Sequence, residues 1–464
     1  MFDLQSLGFK GQILTTSSPD YDAARDRYPK NAVLKPSYIA QPATVQDIPL
    51  AIKFALSQNP PLELAVKGGG VSPYPASSSD GGLVIDLSHL KAVKVADDKQ
   101  SVSVGGGALW SDVYAETDKH GVVPIGGNVH FLGVGGVTLA GGYSNLSGKH
   151  GLGVDNILQA TVVLADGRVV TTSEKEEPDL FWAIRGGVNQ FGVVAELVLK
   201  TYPLSKAMTI GAMVYPGTEL QNVLAALHKH LENHHPSTKM ILMFARAPPD
   251  FYPGLLLLPY IENDATPPDE VLAPFRELVK PIFEGLATVD GYLPVTHGAD
   301  QALSGAPPRM SIDGALFGDL WDDVVGQAFG SWVGFTEDPE FRSTIVMWEL
   351  GHRDKIVERK VEDMAFAARE KHYYMAAIPR FTNASGDAKA AEWVSSITSL
   401  VRTSHLEKTG KALITPPSFA LSPQSVPAEK IWGDNLPKLR KLKAKYDPKK
   451  VWSKGWCIEP DPKL

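Results

Sequence analysis

The chain has 464 residues, 44% of them hydrophobic and 21% charged, with a net charge of −7. That length exceeds one ordinary domain and gives two or three proper cores. The acidic balance excludes the basic face of a nucleic-acid surface, and the single cysteine, Cys457, excludes an intramolecular disulfide and a multi-cysteine metal site.

The opening MFDLQSLGFKGQILTT has no basic n-region followed by an apolar run, so no signal peptide is expected. No window approaches the roughly 18 uninterrupted apolar residues of a membrane span. A soluble, cytoplasmic protein is the expectation, and the sequons at Asn145 and Asn383 carry little weight.

Residues 37–65 read as strand, helix, strand. Thr44 and Asp47 have the spacing of a capping box, and Ile48, Ala51, Ile52 and Ala55 follow helical periodicity. The strand at Leu62 to Val66 runs into Lys67-Gly-Gly-Gly-Val-Ser72, with Ser77, Ser78 and Ser79 beyond. Backbone N–H groups and serine hydroxyls so arranged make an anion cradle. Neither a Walker loop nor G-x-G-x-x-G is present, so a dinucleotide bound here is not bound in the Rossmann manner. Ala108 to His120 reads as a helix stopped by Gly121.

Ile125 to Asn156 is the densest glycine stretch, with Gly126, Gly127, Gly133, Gly135, Gly136, Gly141, Gly142, Gly148, Gly151 and Gly153 among small apolar residues. So many glycines weaken any ordinary helix or strand. A ligand lying against bare backbone accounts for them; a set of tight turns in a β-rich domain is the plainer account.

Ala160 to Ala165 and Arg168 to Thr172 flank the hairpin signal Asp166-Gly167. Asp179 to Arg185 is a short helix, and Phe191 to Lys200 a long buried strand. Beyond Tyr202-Pro203 the pattern becomes α+β. Helices are expected at 218–232, 269–284 and 388–404, and strands at 208–215, 240–245, 255–260, 344–350 and 373–381. The basic tail, 428–446, reads as a helix with a solvated face. The expected division is residues 1–202, 203–415 and 416–464.

The ordered motifs VKGGG, SSS, GGLVIDLS, VGGGALWSDVY, GVGGVTLAGGY, LSGKHGL, DLFWAIRGG, QFGVVAE and LKAKYDPKKVW resemble the berberine-bridge-enzyme-like flavoproteins of the vanillyl-alcohol-oxidase or p-cresol-methylhydroxylase superfamily. The resemblance is dense over about residues 35–200 and 428–460. It implies an α+β fold, with a bipartite FAD-binding domain of the p-cresol methylhydroxylase type and an inserted substrate domain, an antiparallel sheet backed by helices. It also implies an enzyme that oxidises a small molecule by hydride transfer to FAD, with O2 a usual electron acceptor.

Carried onto this chain, Lys67, Gly68, Gly69, Gly70, Val71 and Ser72 match the pyrophosphate loop. Gly127, Val129, Gly135, Gly136, Gly141, Gly142 and Tyr143 match the run beside the flavin. Gly151, Leu152, Asp155 and Asn156 match the next flavin turn, and Gly192, Val193 and Val194 the strand near the adenine. The sequence departs from the family at four places. Val71 stands where a histidine usually links the flavin, and Val129 where bicovalent members carry a cysteine. Noncovalent FAD is therefore expected. Pro416-Pro-Ser-Phe419 replaces the Y-x-N segment that brings a phenolic base. Ala140 and Ser144 replace glycines, which narrows the flavin bed.

Candidate catalytic residues are His130, beside the lost cysteine position; Tyr143, more suited to covering the flavin; Glu349; and Tyr374, with His372 and Tyr373 at the start of the same strand. Imidazole titrates near neutrality, and a buried carboxylate without a cation has a raised pKa. His130 also reads as a turn histidine bonded to backbone, and Glu349 as a strand-end carboxylate paired with Arg353 or Lys355. His230 and His234 are i, i+4 without an HExxH motif and read as a solvated helix end, so no metal site is expected. The leading reading is an FAD-dependent oxidoreductase acting on a small apolar secondary metabolite, with no nucleic-acid or membrane partner. A non-redox isomerase or cyclase reusing the fold is the alternative, and a noncatalytic binder the third.

Overall fold

The computed structural model describes residues 4–298, 300, 305–420, 422–423 and 426–463. The first sheet is four-stranded, in the order Gln12–Leu14, Tyr38–Gln41, Leu83–Asp86, Leu64–Lys67. Leu83–Asp86 runs parallel to both of its neighbours. The helix Asp47–Ser57 makes the crossover and buries Ile48, Ala51, Ile52 and Ala55, the residues its periodicity picks out. Thr44 does not cap it. The helix starts at Asp47, whose carboxylate instead accepts N–H groups of Lys10 (2.9 Å), Ala43 (2.9 Å) and Thr44 (3.0 Å) and so ties down the preceding loop.

A six-stranded sheet follows, ordered Val93–Val95, Ser101–Gly105, Val193–Pro203, Ile157–Val163, Val169–Ser173, with Val122–Pro124 also pairing on Val193–Pro203. Gly167 makes the expected hairpin turn at φ 87°.

The third sheet is seven-stranded and antiparallel. Its order is Phe283–Val289, Met208–Pro216, Pro253–Glu262, Thr238–Arg246, Ile345–Gly351, Tyr373–Ile378, Asp313–Phe317. Its two faces differ. Leu242, Phe244, Leu255, Leu257, Val346, Trp348 and Met375 pack in one core with residues of the helices Leu220–Glu232, Asp322–Phe335 and Asp387–Thr409. Tyr260, Tyr374 and Leu316 point the other way, into the core of the glycine-rich half.

Two expectations fail here. The helix over 269–284 breaks into Pro268–Leu272 and Pro274–Glu277, and Phe283–Val289 is a strand, because pairing with Met208–Pro216 overrides local propensity. The helix Asp322–Phe335 escapes sequence reading because Gly326, Gly330 and Gly334 weaken its signal. Buried Val325, Ala328 and Trp332 stabilise it through packing.

The tail forms the helices Ala428–Trp432 and Leu436–Tyr446. Its face is not wholly solvated. Lys443 is fully buried and donates to Asp447 Oδ2 (2.8 Å), Gln190 O (2.7 Å) and Trp452 O (2.7 Å), which locks the tail onto the N-terminal half. A lysine can be buried there because every donor meets an acceptor. Among the described residues no helix is long and apolar enough to cross a membrane.

Candidate active site

The strand Leu64–Lys67 delivers the loop Gly68–Ser72 onto the second glycine segment. A Cβ on Gly69 would stand 2.5 Å from Gly133 N, so the two backbones touch. Lys67 turns away and donates to Ala24 O (3.2 Å) and Asp86 Oδ2 (3.2 Å). A different cation reaches the loop. Arg27 lies against Gly70, and its guanidinium donates to Ser77 O (2.8 Å) and Asp26 O (2.7 Å) while Nε stays buried with no partner. Burial lowers its pKa, and Asp86 and Asp26 oppose the shift. Ser78 Oγ is likewise buried without a partner. Val71 is half-buried and Ser72 exposed.

The glycines of the second segment divide into two sets. Nothing lies within 4 Å of a Cβ built on Gly136, and only Gly106 O, at 3.7 Å, lies near one on Gly135. These two face open space. At Gly141 (φ +127°) a Cβ would stand 2.6 Å from the Phe366 ring, and at Gly142 2.8 Å from the Gly153 Cα. These two make room for other parts of the protein. Gly127 likewise makes room for the Trp110 indole (2.7 Å), and Gly192 for Val163 O (2.6 Å). Val194 is buried at the pairing of its strand with Val162.

Gly151 turns at φ 78° into Asp155 and Asn156. Asp155 accepts from Leu152 N (2.9 Å) and from Arg369 (2.6 Å), and Asn156 accepts the Tyr202 hydroxyl (2.6 Å). Val129 is half-buried. Ser144 does not crowd the bed through its hydroxyl, which accepts from Leu146 N (3.3 Å).

Where the glycine segment meets the seven-stranded sheet, buried polar groups converge. Tyr143 bonds to His372 Nε2 at 2.7 Å, while His372 Nδ1 lies 2.6 Å from Glu370 O. A carbonyl only accepts, so Nδ1 carries the proton and Nε2 accepts from Tyr143. Burial pulls His372 down to about 4 and raises the Tyr143 phenol. The two rings Tyr143 and Tyr374 are 4.8 Å apart.

Tyr374 donates to Glu349 Oε2, and Lys239 pairs with the same oxygen and donates to Tyr374 Oη (3.2 Å). Cross-strand register puts the three on one face: Glu349 opposes Tyr374 and Ile241, and Lys239 lies two residues before Ile241. Burial, then the Glu349 charge, push the Tyr374 phenol well above its ordinary value, so Tyr374 stays a donor. Neither cation that the sequence offers to Glu349 reaches it. Arg353 lies over the Tyr373 ring (4.0 Å), and Lys355 pairs with Glu358 (2.7 Å). Tyr373 faces the helix side, with His372 and Tyr374 on the other. Phe419, from the stretch replacing Y-x-N, stacks on Tyr374 (4.6 Å).

Beyond this polar group the same sheet face is apolar. Leu256, Leu258, Ile241, Met347 and Ile345 are half-buried, against complete burial of Leu255, Leu257, Leu242 and Val346 on the helix side. Tyr28, Ile345 and Met347 all pack on the cluster of Met310, Ala376 and Ile378, and Phe131 stacks on Tyr28 (4.7 Å), which brings the cradle and this strip together. His130 stands beside them. Its N–H donates to Thr296 O (3.4 Å) and its ring stacks on His297 at 4.2 Å. Sequence reading misses Lys239, because it lies one residue ahead of the expected strand, and Arg27, because it lies far from any glycine motif.

A cradle open at Gly135 and Gly136, with buried unpartnered donors at Arg27 and Ser78, fits a dinucleotide pyrophosphate lying on backbone. With a mixed four-stranded sheet and an antiparallel six-stranded sheet on one side and a helix-backed antiparallel sheet on the other, the class is a flavin-dependent oxidoreductase. A family model described as FAD binding domain matches residues 36–173, and one described as Berberine and berberine like matches residues 424–455. The chain is 27% identical to an FAD-linked oxidoreductase (pgmH) of Aspergillus terreus, over 99% of this chain and 96% of that protein. It is 31% identical to (R)-6-hydroxynicotine oxidase of Paenarthrobacter nicotinovorans, over 52% and 54%. Among solved structures, 6-hydroxy-D-nicotine oxidase from Arthrobacter nicotinovorans superposes with TM-score 0.82 at 22% identity, covering 98% of both chains. A glucooligosaccharide oxidase from Acremonium strictum, with a 6-S-cysteinyl, 8α-N1-histidyl FAD, superposes with TM-score 0.80 at 22% identity, over 99% and 98%. The chain thus carries an FAD binding domain and a berberine-like C-terminal segment and is an FAD-dependent oxidoreductase.

Proposed function

We propose that this enzyme binds FAD noncovalently and oxidises a small apolar secondary metabolite, with Glu349 handling the substrate proton. The buried Lys239–Glu349–Tyr374 group at the end of an apolar strip is the observation that carries the reading. FAD, when bound, supplies the hydride acceptor. Gly68–Ser72, Arg27 and Ser78 would hold its pyrophosphate, Gly135 and Gly136 would leave backbone free for its ring system, and Tyr143 would cover the bed. Ile241, Met347 and Ile345 hold the apolar body of the substrate and keep water out.

Lys239 and Tyr374 both direct donors at Glu349, which holds the carboxylate in position. Glu349 takes the proton from a substrate hydroxyl or amine as the adjacent carbon is oxidised. Tyr374 keeps its own proton. Tyr143 directs its proton at His372 Nε2, so the phenol oxygen presents lone pairs to the bed.

Noncovalent binding is supported by valines at 71 and 129, which have no nucleophile, and by Cys457, half-buried in the tail with its thiol pushed up by burial. The redox reading stands ahead of the isomerase or cyclase because the open cradle is kept. The absorption spectrum of purified protein, before and after acid precipitation, tests both points. Flavin bands that pass into the supernatant are expected. Bands retained in the pellet overturn noncovalent attachment, and a protein that stays colourless with added FAD overturns the redox reading.

A further inference from the structure

The second half of the cradle, residues 71–79, has little to hold it in place. Among the described residues no backbone bond ties it to another segment. Ala76 N donates to Tyr74 O (2.7 Å) and Ser78 N to Pro75 O (3.2 Å), both within the loop. Its hydrogen bonds to other described residues run through side chains, from Arg27 to Ser77 O (2.8 Å) and from Ser79 to Glu63 Oε2. This loop carries the unpartnered Ser78 Oγ that faces the cradle. A loop that must be ordered as its ligand arrives weakens binding by the entropy of ordering it.

Three consecutive residues of the tail touch the loop. Lys454 pairs at 2.9 Å with Glu63 Oε2, the oxygen that accepts from Ser79. Gly455 turns at φ +77°, and a Cβ on it would stand 3.9 Å from Ala76 Cβ and 3.7 Å from Asn189 Oδ1, so its backbone lies against both. The Trp456 ring stands 6.3 Å from the Tyr74 ring, and its Nε1 donates to Val426 O (2.8 Å). These residues are themselves anchored. Lys454 O accepts from Asn189 Nδ2 (3.1 Å) and Gln190 Nε2 (2.8 Å), and Gln190 Oε1 accepts from Ile458 N (3.1 Å). Val188, just before this pair, holds φ +48° and ψ −123°. A β-branched residue keeps such a conformation only where its surroundings over-determine it, and the bonds from Asn189 and Gln190 to the tail are such surroundings.

We propose that Lys454, Gly455 and Trp456 form a latch that holds the 71–79 loop closed on the dinucleotide pyrophosphate and so sets the rate at which FAD leaves. The latch rests on the noncovalent reading given above. With valines at 71 and 129 the ring has no tether, so retention depends on how firmly the loop is kept ordered. Differences of this kind fall mainly on the dissociation rate. The three are positioning residues, acting through the loop. Lys454 also offsets the charge of Glu63, an acid that stands beside a site built for an anion.

The test follows FAD release from the full-length flavoprotein by the return of flavin fluorescence on dilution, and ADP binding to the flavin-stripped chain by calorimetry. Wild type is precipitated with acid first. Flavin retained in its pellet overturns noncovalent attachment and the latch with it. Flavin in the supernatant, with release unchanged in the variants, overturns the latch alone. Lys454→Met and Trp456→Leu are each expected to speed FAD release and weaken ADP binding by about tenfold, and Lys454→Arg to keep wild-type release. Faster FAD release with ADP binding unchanged overturns the latch, because the latch acts on the pyrophosphate half. Lys450→Met, whose exposed pair with Glu459 lies in the same tail, leaves both measurements unchanged. Adding Glu63→Gln to Lys454→Met separates the latch from bare charge, since glutamine still accepts from Ser79. No further change is expected; a return to wild-type release assigns the effect to the uncompensated charge and overturns the latch. If Trp456→Leu melts early, Lys454→Met with and without Glu63→Gln decides.

Discussion

In the proposed site Gly135–Gly136 and the Lys239–Glu349–Tyr374 group form two walls, and these are built by opposite means. The glycine wall works by leaving side chains out, so that backbone is exposed to a flat ligand. The sheet wall works by placing side chains that a strand face would ordinarily exclude, a lysine and a glutamate, each buried and each satisfied by the other. A wall of the first kind is written in a contiguous stretch of sequence. A wall of the second kind exists only when strands remote in the chain come into register. The comparison extends within the glycine stretch, because Gly141 and Gly142 are empty for the sake of Phe366 and Gly153 rather than of a ligand.

Substitutions on the sheet wall carry the largest expected effects. Glu349→Gln keeps the shape and removes the base. Anaerobic flavin bleaching by any substrate that bleaches the wild type should slow by about 10²–10⁴-fold with FAD content unchanged. A rate within a few-fold of wild type would move the proton step elsewhere. Lys239→Met leaves Glu349 buried without its cation and should cost about 3–5 kcal/mol of stability, read by chemical denaturation. A smaller loss would mean that water reaches the carboxylate.

The glycines separate the two meanings of an absent side chain. Gly141→Ala forces a Cβ against Phe366 at positive φ and should destabilise the fold by about 1–3 kcal/mol. Gly136→Ala adds a Cβ with no atom of the protein within 4 Å. It should leave the melting temperature of the flavin-free form unchanged while weakening FAD binding by about tenfold, or about 1.4 kcal/mol. Equal behaviour of the two variants would erase the distinction.

The smallest effect is on pH dependence. His372 and His230 are held by burial at about 4 in the folded protein, against about 6.5 when unfolded. The unfolded chain therefore takes up protons first. Their stabilising contribution is complete above about pH 6.5 and declines as pH falls toward about 4. A melting series from neutral to acid pH should show this fall, and His230→Leu should flatten it. An unchanged slope would place the proton uptake in other groups. The expectation that His230 and His234 lie at a solvated helix end is corrected by the same burial. His230 is 8% exposed, and burial holds His234 at about 3.

Much of the fold is legible in the sequence because its signals are local. Ile48, Ala51 and Ile52 give a helix by spacing, Asp166-Gly167 gives a hairpin, and the ordered glycine motifs give the family. Glu349 and Tyr374 are legible as candidates, since a carboxylate and a phenol in apolar strands stand out. Their connection is not legible. Arg353 and Lys355 are near Glu349 in sequence, but antiparallel pairing places Lys239 beside it instead. The glycine-weakened helix Asp322–Phe335 and the strand Phe283–Val289 fail for a related reason, because their stability comes from partners and not from their own residues.

The sequence by itself determined the class of fold, the cradle made from backbone, and the two valines where related chains carry flavin anchors. Each of these depends on residue identity within a short stretch, where chain connectivity already sets the geometry. Only the tertiary structure decided which glycines face open space, which cation holds Glu349, how His372 orders the Tyr143 proton, and that His130 stacks on His297. Each of those depends on side chains brought within a few ångströms by the packing of one half of the chain on the other, a distance that no spacing along the sequence encodes.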